Sequence, residues 1–285
     1  MNISNLKYSI KKDTIIAIES LEMTTEDFAF KCGVSKRTID GILSDEVNPN
    51  KKTLEKIYSY IYSKRLRINA VKEEIYKETT KSKVLFHGAK QKIMKITKNG
   101  SRELCDFGPA FYLGEDLLQA RSFVCDYEDS SIYLFSCDME DLKVYKFDCN
   151  LEWLLAICYY RQTIDKYKDS KIVKDIVDRL NKYDVLIAPI ADNKMFYIMQ
   201  LFANGDINSE VAVHSLSASS LGYQYVFKTT KAINKLKPIE MLYLCKEEKK
   251  DVYGYNIKRG ELVESKLKIS KRQFDGKGKY IDELL

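Results

Sequence analysis

Histidine is scarce: only His87 and His214 occur in 285 residues. None of the seven cysteines (Cys32, Cys105, Cys125, Cys137, Cys149, Cys158 and Cys245) is spaced C-x-x-C. A structural zinc needs four Cys or His ligands at short spacings, so no metal is expected. The odd, scattered thiols read as reduced side chains of a cytosolic protein. Long apolar runs are missing too. The longest, Trp153 to Tyr160, has eight residues, against the roughly 20 that span a bilayer. The first residues, MNISNLKYSIKKDT, lack the apolar stretch of a secretion signal. These absences predict a cytoplasmic location without a membrane partner. Neither G-x-G-x-x-G nor G-x-x-x-x-G-K-[ST] is present, which removes the common glycine-rich nucleotide loops. G-x-S-x-G is absent as well, and with two histidines a Ser-His-Asp hydrolase has no support.

Charge of one sign is also lacking. Lys and Arg total 47 against 41 Asp and Glu, a net charge of +6. Residues 1–80 hold 14 basic and 12 acidic side chains, and residues 246–285 hold 11 and 8. No segment is a basic arm that would bind phosphate backbones by charge alone, so composition is neutral about nucleic acid. What is abundant is aromatic mass, with 20 tyrosines and 12 phenylalanines. Its burial would dominate core energetics. The length suits about two domains.

Residues 14–62 read as short helices. Thr24 precedes Asp27 by three positions, a capping-box spacing, and Gly33 is placed to end that helix in a left-handed conformation. Ser35 can cap a helix through Leu43, and Asn50, after a break at Pro49, another containing Leu54, Ile57, Tyr58 and Ile61. Residues 63–80 read as charged and helical, a connector (63–82) or a helix that pairs two chains. From Lys83 the pattern changes. The short apolar runs Val84–Phe86, Ser131–Cys137 and Tyr183–Ile190 suit buried strands, as does Tyr223–Thr229. Leu117–Tyr127, Leu151–Asn181 and Lys194–Ala203 read as helical. This is an α+β pattern over residues 83–245. Lys246–Lys250 marks a boundary, and the extension at 246–285 is expected to add a hairpin around Arg259-Gly260.

The stretch TTEDFAFKCGVSKRTIDGIL has the apolar spacing and central glycine of two helices crossed at a tight turn. It resembles the lambda-repressor/Cro-like helix-turn-helix family over about residues 13–62. In such a module Ser35, Lys36, Arg37 and Thr38, at the start of the second helix, approach base edges and phosphates. A small helical bundle for protein contacts is the competing reading, since Asp40, Asp45 and Glu46 lie on or beside that helix. A single module with few phosphate contacts binds DNA weakly, so specific binding would call for a homodimer.

Three separated stretches carry candidate chemistry: Leu85-Phe86-His87-Gly88, Asp106-Phe107-Gly108-Pro109-Ala110-Phe111-Tyr112, and Tyr223-Gln224-Tyr225-Val226. Their order resembles the H-Y-E branch of the ADP-ribosyltransferase superfamily, which includes diphtheria-toxin-like and poly-ADP-ribose-polymerase enzymes. That branch has a strand ending in H-G, then G-x-x-Y leading into a helix, then a late strand with an acidic residue. The run also resembles a bacterial family sharing F-H-G, D-F-G-x-x-F-Y, D-V-x-I-x-P-I-A-D-[ND] and Q-Y-V. Here the spacing from Gly108 to Tyr112 is one residue longer than G-x-x-Y, and Gln224 stands where the family has glutamate.

The resemblance implies an N-terminal helix-turn-helix domain followed by an ADP-ribosyltransferase-like α+β domain with a split antiparallel or mixed sheet, taking NAD as substrate. His87, Tyr112 and Gln224 would be catalytic. His87, Gly88, Asp106, Phe111, Tyr112, Asp192 and Asn193 would bind the dinucleotide. Breaking the glycosidic bond of NAD passes through an oxocarbenium-like state, so the site must hold nicotinamide and ribose and stabilise positive charge. Glycine lets the backbone approach the flat carboxamide, histidine can bond a ribose hydroxyl, and tyrosine offers a π-face. Glutamine can make glutamate's hydrogen bond but not supply its charge. Glu210 is the nearest carboxylate in sequence that could substitute. The expected function is mono-ADP-ribosyl transfer to a protein or nucleic-acid acceptor, as in bacterial toxins or phage-defence effectors. The alternatives are a transcriptional regulator that binds NAD without turnover and an NAD glycohydrolase.

Overall fold

A computed structural model describes residues 1–191, 193–217 and 222–285, with backbone alone at 193 and 194. The chain begins with five helices: α1 (Ile10–Ser20), α2 (Thr25–Cys32), α3 (Lys36–Leu43), α4 (Lys51–Ser63) and α5 (Ile68–Thr79). Their ends follow local chemistry. Thr24, Ser35 and Asn50 each accept a hydrogen bond from the backbone N–H three residues on, and Gly33 ends α2 at φ 64°. Each such cap is worth about 1 kcal/mol. Phe28, Ile39, Ile42 and Ile57 are buried in the core these helices share.

The remaining elements build a mixed α+β body. In order they are β1 (Lys83–Ala89), β2 (Phe111–Gly114), α6 (Leu117–Val124), β3 (Ser131–Cys137), β4 (Val144–Lys146), α7 (Leu151–Tyr160), α8 (Lys171–Leu180), β5 (Val185–Pro189), α9 (Asn193–Ala203), α10 (Ser209–Ser217), β6 (Tyr223–Phe227), α11 (Thr230–Asn234), β7 (Leu236–Leu242), α12 (Lys246–Phe274) and α13 (Ile281–Leu284). The seven strands form one sheet in the order β4-β5-β6-β2-β1-β3-β7. Among the described strands, only β4 and β5 pair in parallel; the other neighbours are antiparallel. Successive side chains point to opposite faces. One face carries Leu85, Phe111, Leu113, Tyr133, Phe135 and Phe227 into one core. Ala188 and Val226 point the other way, into a core with Trp153 and Leu154 of α7 and Met199 and Phe202 of α9.

The helical stretch at 151–181 is divided into α7 and α8, because the chain turns at Gln162 with φ 59° and restarts at the Ser170 cap. No hairpin forms at Arg259-Gly260, which lies within the 29 residues of α12. Helix propensity is a weak prior that packing overrides. Val252, Arg259 and Val263 are buried along this helix, and Val263 and Ile281 enter the core beneath the sheet. The tail is thus part of that core.

The N-terminal helices are bound to the sheet by buried polar contacts. Lys72 on α5 pairs with Asp13 on α1 at 2.6 Å and Glu240 on β7 at 2.8 Å. Asn69 donates to the Tyr243 carbonyl and to Glu248, which also holds Arg121 of α6. Among the described residues, no helix is long and apolar enough to cross a membrane.

Candidate active site

The sheet opens between β1 and β2. β1 is in register with β3 at seven positions and β2 with β6 at four, but β1 and β2 share only Phe86 opposite Gly114. His87 follows that last shared pair, and its imidazole bridges the divergence: Nδ1 lies 2.7 Å from the Tyr112 carbonyl oxygen. A carbonyl only accepts, so Nδ1 carries the proton and Nε2 is left as an acceptor in the neutral ring. Burial lowers the His87 pKa from its ordinary 6.5, opposed by that backbone hydrogen bond. The Phe111 ring lies 4.5 Å from the imidazole, centroid to centroid.

A depressed histidine pKa has a definite sign for stability. Below the unfolded value the unfolded chain binds a proton that folded His87 resists, so stability falls as pH drops through that window. From about pH 7 to pH 5 the wild type is expected to lose more unfolding free energy than His87→Gln. Equal slopes in urea titrations would contradict this.

Strand alternation separates the three sequence-predicted side chains. His87 shares a face with Leu85 and Ala89, whereas Tyr112 and Gln224 share the opposite face with Val226. Tyr112 and Gln224 are near neighbours across β2 and β6, since Tyr112 pairs with Val226 and Gly114 with Gln224. The Tyr112 hydroxyl accepts from the Phe107 N–H at 3.1 Å and donates to the Gly108 carbonyl at 2.6 Å. It thereby fixes the Asp106-Phe107-Gly108 turn, where Gly108 has φ 72°. Burial, with the Asp106 carboxylate nearby, pushes the Tyr112 pKa far up, so the phenol stays neutral.

Beside Tyr112 lies a buried polar cluster. Gln224, 7% exposed, donates through Nε2 to Asp106 Oδ2 at 2.6 Å and to the Pro189 carbonyl at 3.3 Å. Asp106, 6% exposed, accepts on Oδ1 from Arg161 Nε at 2.8 Å and Nη2 at 2.5 Å. Arg161 Nη2 also reaches the Ala191 carbonyl at 2.6 Å. Asp106, Gln224 and Arg161 therefore act as one hydrogen-bonded unit between the D-F-G turn, β6 and the end of α7.

A family model described as protein of unknown function (DUF3990) matches residues 83–237. The chain belongs to the DUF3990 family. No curated protein and no solved structure matches the chain. The DUF3990 region begins with β1 and ends just inside β7, so it contains His87, Asp106, Tyr112, Arg161 and Gln224 but none of the N-terminal helices.

Within the DUF3990 region, Gly88 has a packing explanation: a Cβ there would collide with the Ala120 carbonyl oxygen of α6. Asp192 lies outside the described residues, as does the side chain of Asn193. Glu210 is exposed at the start of α10, where the Gly278 segment packs; the carboxylate bonded to Gln224 is Asp106. Arg161 was not anticipated. Its one sequence signal is a charge directly after the apolar run that ends at Tyr160, a place where an arginine stays buried only when paired. Outside the family region, Ser35, Lys36 and Arg37 are exposed at the start of α3 and Thr38 is half-buried. Lys36 is paired with Asp40 at 2.8 Å.

Proposed function

We propose that this protein is an NAD-dependent mono-ADP-ribosyltransferase, with the nicotinamide end of NAD entering where β1 and β2 part. The observation that carries the reading is that divergence, with His87, its pKa lowered by burial, on one face beside it and Tyr112 and Gln224 adjacent across β2 and β6 on the other face. The ordered F-H-G, D-F-G-x-x-F-Y and Q-Y-V motifs, and the resemblance to the H-Y-E branch, support it. Nicotinamide sits against the Gly88 backbone, the His87 Nε2 accepts from a ribose hydroxyl, and the Gln224 carbonyl takes the other ribose. Asp106 and Gln224 are bonded to each other, so substrate must compete with or build on that contact. Phe111 packs against His87 and keeps its ring in place.

The test is incubation of the pure protein with labelled NAD, following free nicotinamide and label on cell-lysate acceptors. Transfer of label to protein or nucleic acid is expected. His87→Ala and Tyr112→Ala should each lower turnover by about 100-fold while leaving the protein folded. Unchanged turnover in both would remove the site assignment. The mutual satisfaction of Asp106, Gln224 and Arg161 favours one second reading, an NAD-binding regulator without turnover; measurable NAD binding with no nicotinamide release would establish it. Nicotinamide release without label transfer would instead mark a glycohydrolase.

The α2–α3 pair acts in this reading as a helix-turn-helix that locates the enzyme on DNA as a homodimer in the cytoplasm. Ser35, Lys36, Arg37 and Thr38 face the duplex. Arg37→Ala is then expected to weaken DNA binding and reduce its logarithmic salt slope by about 1. Absence of DNA binding by the wild type at low salt would leave α2–α3 as a protein-contact module.

A further inference from the structure

We infer that Asp106 is a positioning residue that makes Gln224 serve as the acidic residue this site lacks. The inference rests on the NAD-consuming reading above. Two facts fix the orientation of the amide. Both groups facing its end, the Asp106 carboxylate and the Pro189 carbonyl, can only accept hydrogen bonds. Nε2 must therefore point at them, and the amide cannot flip without opposing oxygen to oxygen. Gln224 consequently presents its carbonyl Oε1 as the remaining polar atom, an acceptor like a glutamate oxygen.

Charge completes the resemblance. An amide that donates to a carboxylate is polarised, and hydrogen-bond chains of this kind strengthen one another at low dielectric. Asp106 is the anion at the head of the chain, and Arg161 fixes its other oxygen through Nε and Nη2. The chain runs from Asp106 through Nε2–H to Oε1, and from there to a ribose hydroxyl of bound NAD. In the reaction the bond between ribose C1′ and the nicotinamide nitrogen breaks, and its electron pair leaves with neutral nicotinamide. The sugar cation is then captured by the lone pair of a nucleophilic acceptor or water, whose proton passes to solvent. Gln224 Oε1, made more negative by Asp106, holds the hydroxyl beside the developing cation. This contribution exists chiefly in the transition state, so it belongs in kcat rather than KM.

A purely structural Asp106, present only to neutralise Arg161, would behave differently. The distinguishing experiment measures nicotinamide release by the full-length protein for Asp106→Asn, Gln224→Glu and the two together, with thermal unfolding recorded for each. Asp106→Asn should lower kcat about 100-fold with KM for NAD nearly unchanged. Gln224→Glu alone should also lose activity, because two carboxylates would then face each other across the present 2.6 Å contact. That variant should recover activity toward acid pH, where the pair shares a proton. The exchanged pair, Asp106→Asn with Gln224→Glu, restores one carboxylate and one amide and should return kcat to within about tenfold of wild type. Wild-type kcat in Asp106→Asn, or an exchanged pair no better than its single parents, overturns the inference alone. Should Asp106→Asn fail to fold, Gln224→Met leaves the Asp106–Arg161 pair intact and must show the same loss of kcat; an unchanged kcat there overturns the inference. A wild-type protein that neither releases nicotinamide nor binds NAD overturns this inference and the proposed function together.

Discussion

Lys72→Met is expected to destabilise the protein by about 3–5 kcal/mol. Lys72 lies 2.6 Å from Asp13 and 2.8 Å from Glu240, with all three side chains no more than 7% exposed. The Tyr58 hydroxyl donates to the other Asp13 oxygen at 2.5 Å. Removing the ammonium leaves two carboxylates facing each other out of water, the case in which breaking a buried pair is most costly. Asp13 is on α1, Lys72 on α5 and Glu240 on β7, so the loss should loosen the N-terminal helices from the sheet. Burial already raises the Asp13 pKa above its ordinary 3.8. A raised carboxyl makes the folded state bind more protons than the unfolded one, so its contribution to stability declines as pH rises through that window. The defect of Lys72→Met should therefore be larger at pH 7 than at pH 5. Urea unfolding measures both quantities, and a loss under about 1 kcal/mol at pH 7 would show that the network carries little of the attachment.

Arg161→Met should be nearly as damaging, by about 3–5 kcal/mol, and should also abolish nicotinamide release. Arg161 makes two hydrogen bonds to Asp106 and one to the Ala191 carbonyl. Without it Asp106 is an uncompensated buried anion, and the Gln224 amide it holds loses its fixed partner. Arg161→Lys keeps the charge but not the planar fork, so it should recover stability more fully than activity. Equal activity in Arg161→Lys and wild type, measured at saturating NAD, would mean that the geometry of the fork is immaterial to the site.

The elements that could be read from the sequence were those set by neighbours a few residues away. Thr24, Ser35 and Asn50 cap their helices because an N-cap needs only the N–H three positions on. The apolar run at 183–190 is β5 because that strand is covered on both faces. What escaped was decided at long range. Arg161 and Asp106 are 55 residues apart, and Gln224 and Asp106 are 118 apart. No spacing rule connects them. β7 contains Pro238, which sits opposite Phe135 where the register with β3 shifts, on an edge where proline costs no ladder bond. The face of His87 was equally hidden. The motif places histidine beside glycine, but only the parity of β1 against β2 shows that its ring and the Tyr112 side chain leave the sheet on opposite sides.

The proposed transfer chemistry and the proposed role of Asp106 both depend on NAD binding where β1 and β2 part. A structure of the protein with NAD or nicotinamide bound tests that claim most directly. The account requires the nicotinamide ring between β1 and β2, its carboxamide bonded to the Gly88 backbone and the Gln224 carbonyl at the ribose. NAD bound elsewhere, for instance in the cavity of about 340 Å³ lined by Lys51, Tyr127, Lys249 and Tyr253, would contradict it.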